Sequence, residues 1–191
     1  MNNKTRKIVI TAVMIALTYV ATTLIKIQTP TMGYIHLGDC VVLLCGYLLG
    51  PWLGAFAAGT GSMFADILSP YIIYAPGTFV IKAMNAFVAS LIFTFMQNRN
   101  SAPKKPLYQI FTLLISGILA ESLMVIGYFG YDILVAVVLN NGPGAMTLPA
   151  GIAYALTSVP FYIIKAIVNI AIVTALFPVL SKVLPKNNFS S

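Results

Sequence analysis

The chain has 191 residues, of which 59% are apolar and only 8% charged, against roughly 25% charged in a typical soluble protein. So few polar side chains cannot cover a globule of this size, whereas a bilayer removes the need for a polar shell. At about 20 residues per crossing, the length holds six or seven spans with short loops, which excludes a fused ATPase, kinase or sensor domain. The net charge of +7 is not spread as a nucleic-acid-binding face. Eight of the eleven basic residues fall in three clusters: Lys4, Arg6 and Lys7 before the first apolar run, Arg99, Lys104 and Lys105 in a polar loop, and Lys182 and Lys186 in the tail. Lys and Arg in short loops mark the cytoplasmic side of a membrane protein.

The first span is predicted at 8–26. Its basic start suits a signal peptide, but the apolar run from Ile8 to Ile25 is too long for one and no small-x-small cleavage site follows. Within it Ala12 and Ala16 form an AxxxA strip flat enough for another helix to pack on. Spans two and three, at 37–50 and 52–69, are joined by Leu49-Gly50-Pro51-Trp52, a tight turn. Cys40 and Cys45 in span two have neither zinc nor CxxC spacing and read as small core residues. The small-residue run from Gly50 to Ser62 lacks the lysine of a P-loop and the preceding strand of a dinucleotide fold. It reads instead as a surface for close helix approach. Spans four, five and six are predicted at 75–96, 108–130 and 157–181. Ile133–Leu139 is too short to cross and reads as a partly embedded piece of a loop over 131–156, whose Asn140-Asn141-Gly142-Pro143-Gly144 signals a turn. That loop is long enough to be a lid. Thr78 to Asn85 in span four resembles Phe161 to Asn169 in span six, each after a proline, Pro76 or Pro160; duplicated halves and chance both account for so short a match.

Six spans place both termini and all three basic clusters on the cytoplasmic side. The expectation is an all-α integral membrane protein, one domain over 1–191, with outer loops 27–36, 70–74 and 131–156 capping a ligand pocket. An ionisable residue inside a span costs about 2.5–3.5 kcal/mol on insertion scales, so each needs a partner, a cavity or a route to the interface. Asp39, Asp66, Lys82, Glu121 and Lys165 are such residues. On this topology Asp39 and Asp66 lie near the outer surface. Lys82 and Lys165 sit ~10 Å deep at about 1.5 Å per residue, and Glu121 reaches the middle. The inner half is apolar, unlike a channel or proton relay, which lines its path throughout. Asn85 is three residues from Lys82 and Asn169 four from Lys165, so each lysine shares a helix face with a carboxamide. Seven residues are expected to converge on one pocket: Asp39, Asp66, Lys82, Asn85, Glu121, Lys165 and Asn169. His36, Tyr74 and Tyr128 are further ligand-binding candidates, although Tyr71, Tyr74, Tyr128 and Tyr131 also fit an interfacial aromatic belt. The competing reading is that the acids and lysines merely neutralise one another. One His and scattered carboxylates lack metal-ligand spacing, so neither metal nor cofactor is expected.

The ordered series His36-Leu37-Gly38-Asp39, Leu49-Gly50-Pro51 with Gly54-Ala55, Gly59-Thr60-Gly61-Ser62 with Ala65-Asp66, and Tyr74-Ala75-Pro76 with Thr78-Phe79 and Ile81-Lys82 resembles the substrate-binding S components of energy-coupling factor (ECF) vitamin transporters. It is most similar to those assigned to hydroxymethylpyrimidine or pyridoxine. The resemblance runs through about residues 8–96. It implies a non-enzymatic, multi-pass bacterial plasma-membrane protein that captures a vitamin at the outer face. It also implies docking on a membrane scaffold subunit with two ABC-type ATPases, and toppling in the bilayer to deliver the ligand. Ala12 and Ala16 match the family's docking strip. Another vitamin such as pantothenate, a stand-alone secondary transporter and a small membrane enzyme using Asp39, Asp66 and His36 are the alternatives.

Overall fold

Six α-helices carry most of the chain in the computed structural model, which describes residues 3–24, 27–28, 34–99, 106–139 and 146–183. They are α1 (Asn3–Leu24), α2 (Gly38–Leu49), α3 (Pro51–Ile67), α4 (Ala75–Arg99), α5 (Pro106–Leu134) and α6 (Leu148–Val183). Helices are what such apolar segments must form in lipid, since no water is there to satisfy a peptide group left open. Between α1 and α2, β1 (Ile27–Gln28) and β2 (Tyr34–Ile35) pair antiparallel, with Ile27 opposite Ile35 and Gln28 opposite Tyr34. A 3-10 turn over Ile72–Tyr74 leads into α4. Four of the described helical stretches are long and apolar enough to cross a membrane: Lys4–Leu24, Ile72–Arg99, Pro106–Leu139 and Leu148–Ser181. The 12 residues of α2 and 17 of α3 are shorter.

The expected loop over 131–156 requires correction. Ile133 and Leu134 complete α5, and Val135–Leu139 continue it as a π-helical turn. At the other side α6 begins at Leu148, nine residues before the predicted start of span six, so that Pro160 lies deep in the helix rather than in its first turn. Apolar residues run through both stretches, and helix continuation satisfies their backbone where a loop would not. The Asn140 to Gly144 turn signal lies outside the described residues. The strand pair is likewise an addition to the all-helical expectation: its two-residue strands carry no periodicity by which to find them.

The short helices form the centre. In α2, Val42, Leu43 and Cys45 are wholly buried and the neighbouring residues nearly so, which marks a helix apolar all round and enclosed by its neighbours. Met14, Ala58, Ala89, Leu113, Val173 and Phe177 of the other helices pack in the same core. The Tyr47 ring lies 5.0 Å from that of Phe93 and 5.6 Å from that of Phe177, and its hydroxyl meets Ser116 Oγ at 3.0 Å. Gly50 turns the chain from α2 to α3 with φ 82° and ψ −179°, a conformation reserved for glycine, and Pro51 follows at the first position of α3. The small residues of α3 admit close backbones: a Cβ on Gly61 would lie 2.6 Å from the Ile15 carbonyl of α1. Large apolar side chains such as Ile8, Trp52, Phe95, Leu107, Ile126 and Val179 face outward, as a lipid-embedded surface requires.

Candidate ligand-binding site

Alternating helix directions bring the C-terminal ends of α1, α3 and α5 and the N-terminal halves of α2, α4 and α6 around a narrow cavity. It offers about 40 Å³ to the centres of water molecules, room for roughly three of them. It is lined by Thr22, His36, Ser62 and Asp66 from α1 to α3 and by Thr78, Lys82, Tyr128, Tyr162 and Lys165 from α4 to α6, with Tyr71 and Tyr74 beside the α3–α4 connection. The basic residues Lys4, Arg6, Lys7 and Arg99 lie at the opposite helix ends.

Asp39 is the electrostatic centre. It is fully buried in the first turn of α2, where the helix dipole favours a carboxylate. Its Oδ1 accepts a short hydrogen bond from Lys82 Nζ of α4. Lys165 Nζ of α6 lies 3.0 Å from Oδ2, close enough for an ion pair although not aligned as a hydrogen bond. One carboxylate therefore holds two ammonium groups, each also seated on an aromatic face: Lys82 Nζ is 4.9 Å from the Tyr128 ring centre, and Lys165 Nζ is 5.4 and 5.5 Å from those of Tyr128 and Tyr162.

The carboxamides do not line the cavity but brace its walls. Asn169 Oδ1 accepts from the Cys40 amide at 3.0 Å, and Nδ2 donates to the carbonyls of Lys165 at 2.8 Å and His36 at 3.4 Å, tying α6 to the start of α2. Asn85 Nδ2 donates to Glu121 Oε1 at 3.1 Å, joining α4 to α5 behind the lysines. His36 Nδ1 accepts the Gly38 amide at 3.0 Å. Of the predicted residues, then, His36, Asp66, Tyr74, Lys82, Tyr128 and Lys165 reach the cavity, while Asp39, Asn85, Glu121 and Asn169 stand behind its surface. The self-neutralisation reading holds in part: Asp39 pairs with both lysines, yet Asp66 and the lysines still face the cavity.

Other residues escaped the sequence reading. Asp132, expected in an outer loop, is 2% exposed on α5 and accepts the hydroxyls of Tyr74 at 3.2 Å and Tyr162 at 2.8 Å. Tyr131 donates to the Ile73 carbonyl at 2.9 Å, so two consecutive residues of α5 hold the 3-10 turn in place. The signal was Asp132 four residues after Tyr128, visible only once α5 is extended. Tyr128 in turn donates to Thr78 at 3.2 Å. Ala12 and Ala16 are exposed on α1, along the face that also presents Val9, Val13 and Val20.

Residues 2–182 match the family of the ECF-type riboflavin transporter S component. The chain belongs to this family. This S component is accordingly a membrane-embedded, multi-pass transport protein and not an enzyme. It shares its fold with the solved S component of a bacterial ECF transporter, at a TM-score of 0.65 over 96% of this chain and 99% of the other, with 20% identity. It is also 31% identical over 128 residues to an uncharacterized protein in the gap 3' region of Pyrococcus woesei, an alignment covering 66% of this chain and 76% of that one.

Proposed function

We propose that this S component captures a small, uncharged, hydroxylated aromatic heterocycle of the B-vitamin class, pyridoxine or hydroxymethylpyrimidine, and passes it to a scaffold subunit driven by two ABC-type ATPases. The observation that carries the ligand class is the composition of the cavity. Tyr128 and Tyr162, with ring centres 5.6 Å apart and planes at 37°, give the wall aromatic surface. Lys82 and Lys165 offer donors, and Asp66 and the nearby hydroxyls offer acceptors. Asp39 already neutralises part of the lysine charge, and Asp66 adds a further carboxylate at the wall, so the site disfavours a phosphate ester. The family's description favours riboflavin as the second reading.

With the basic helix ends cytoplasmic, as loop charges dictate in short-looped membrane proteins, α1, α4, α5 and α6 cross, α2 and α3 form a hairpin among them, and both termini lie inside. The whole of 1–191 is then one domain whose cavity opens outward. Calorimetric titration of purified protein with pyridoxine, hydroxymethylpyrimidine, riboflavin and pyridoxal phosphate tests the reading. Stoichiometric binding of a single-ring alcohol is expected, without uptake into liposomes lacking the ATPase module. Tightest binding of the phosphate ester overturns the ligand class, and unaided uptake overturns the division of labour with an energising module.

A further inference from the structure

Buried hydroxyls on these helices are ordinarily satisfied within their own helix. Thr11 and Thr18 of α1 donate to the carbonyls four residues back, each at 2.8 Å. On α5 Ser116 does the same at 2.7 Å, and Thr112 donates to the carbonyl three residues back at 2.8 Å. Such back-bonding is how a helix accommodates a hydroxyl in apolar surroundings.

Thr22 and Ser62 depart from that pattern. Their hydroxyl oxygens have no protein partner, although the residues are only 2% and 1% exposed, and both line the cavity. Among the described residues Thr174 is the other buried hydroxyl in this condition, and it lies away from the cavity. The Thr22 hydroxyl packs closely on the start of α2: a Cβ on Gly38 would lie 2.1 Å from Thr22 Oγ1. Ser62 stands one helical turn before Asp66 on α3, so the two share a face.

We infer that Thr22 and Ser62 form a subsite, assigned by no motif, that binds an alcohol group of the ligand. The assignment rests on the ligand class proposed above and names the part of the ligand that meets α1 and α3. Each hydroxyl both donates and accepts, matching an alcohol, which also does both. The lysines of α4 and α6 can only donate, so they suit acceptor atoms of the ring. Asp66 beside Ser62 accepts from an alcohol and repels an anion in its place. Both hydroxyls are left over by their own helices and border the cavity, so a ligand alcohol placed there bonds them without breaking a hydrogen bond within the protein.

The test compares hydroxymethylpyrimidine and pyridoxine with analogues in which a methyl replaces a hydroxymethyl, using wild type and the Thr22→Val/Ser62→Ala protein. Wild type is expected to prefer an alcohol over its methyl analogue by about 5- to 100-fold. The double variant is expected to bind the two alike. The variant's ligand-free melting temperature should stay close to that of wild type, because neither hydroxyl bonds another group of the protein. A retained preference overturns this assignment alone, and a clear fall in ligand-free melting temperature shows that the hydroxyls serve the fold and overturns it too. Wild-type protein that binds neither alcohol overturns the ligand class proposed above, and this assignment with it.

Discussion

Asp39 neutralises Lys82 and Lys165, which are 1% and 3% exposed, so removing its charge leaves two ammonium groups buried without their counter-ion. Breaking a buried pair from one side costs about 3–5 kcal/mol, because the remaining charge keeps its desolvation penalty. Asp39→Asn is therefore expected to destabilise the protein by at least that order in detergent unfolding. Lys165→Met should be milder, since Asp39 keeps Lys82 as partner and a methionine fills much of the lysine stem's space. Equal losses for the two variants would mean that the carboxylate does not organise the site. The acids and lysines were legible in the sequence as intramembrane charges, but their pairing was not. Nothing in residue spacing shows that α2 supplies the shared anion while α4 and α6 supply one cation each.

At the scale of elements, the α2–α3 joint and the α3–α4 connection carry the geometry. The joint depends on Gly50, whose φ of 82° an alanine adopts only with strain. Gly50→Ala should cost about 1–3 kcal/mol, read as a lowered melting temperature with ligand affinity in the surviving folded fraction unchanged. The Leu49-Gly50-Pro51-Trp52 turn was readable because glycine and proline act through their own backbones. The α3–α4 connection depends instead on Asp132, which holds the hydroxyl of Tyr74. Asp132→Leu strands the Tyr74 and Tyr162 hydroxyls, and protease cleavage within 69–75 is expected to accelerate. Tyr74→Phe, which removes one hydrogen bond worth about 0.5–1.5 kcal/mol, should accelerate it less. Cleavage no faster than in wild type would show that other contacts hold this turn. Asp132 went unread because its helix appeared to end at Gly130. A glycine interrupts a pattern more visibly than it interrupts a helix whose backbone has no water to turn to.

At the scale of the molecule, the cavity and the exposed α1 strip are well separated. Ala12 lies in the first half of α1 and Ala16 just past its middle, both on its outward face, while Thr22, near the far end, reaches the cavity. If the strip meets a scaffold helix, Ala12→Leu/Ala16→Leu blocks close approach where packing is the main attraction between helices. Ligand affinity of the isolated variant should stay near wild type, while co-purification with the scaffold and ATP-driven uptake fall together. Undiminished uptake would show that the strip faces lipid. Lost ligand binding would show that it supports the fold.

Composition by itself determined that the chain belongs in a membrane, because so apolar a sequence has no other solvent in which its surface is stable. The order of helices and the candidate site residues followed from the same constraint, since every charge inside a span stands out against apolar neighbours. Tertiary structure decided which of them face the cavity and which brace it. Asn85, Glu121 and Asn169 share helix faces with cavity residues yet stand behind the wall, because a helix face is wider than the opening it borders. It also decided that Thr22 and Ser62 are different from the other hydroxyls. A threonine or serine in a helix looks the same in sequence whether its hydroxyl is spent on its own backbone or turned toward a cavity, and only the packing of neighbouring helices separates the two.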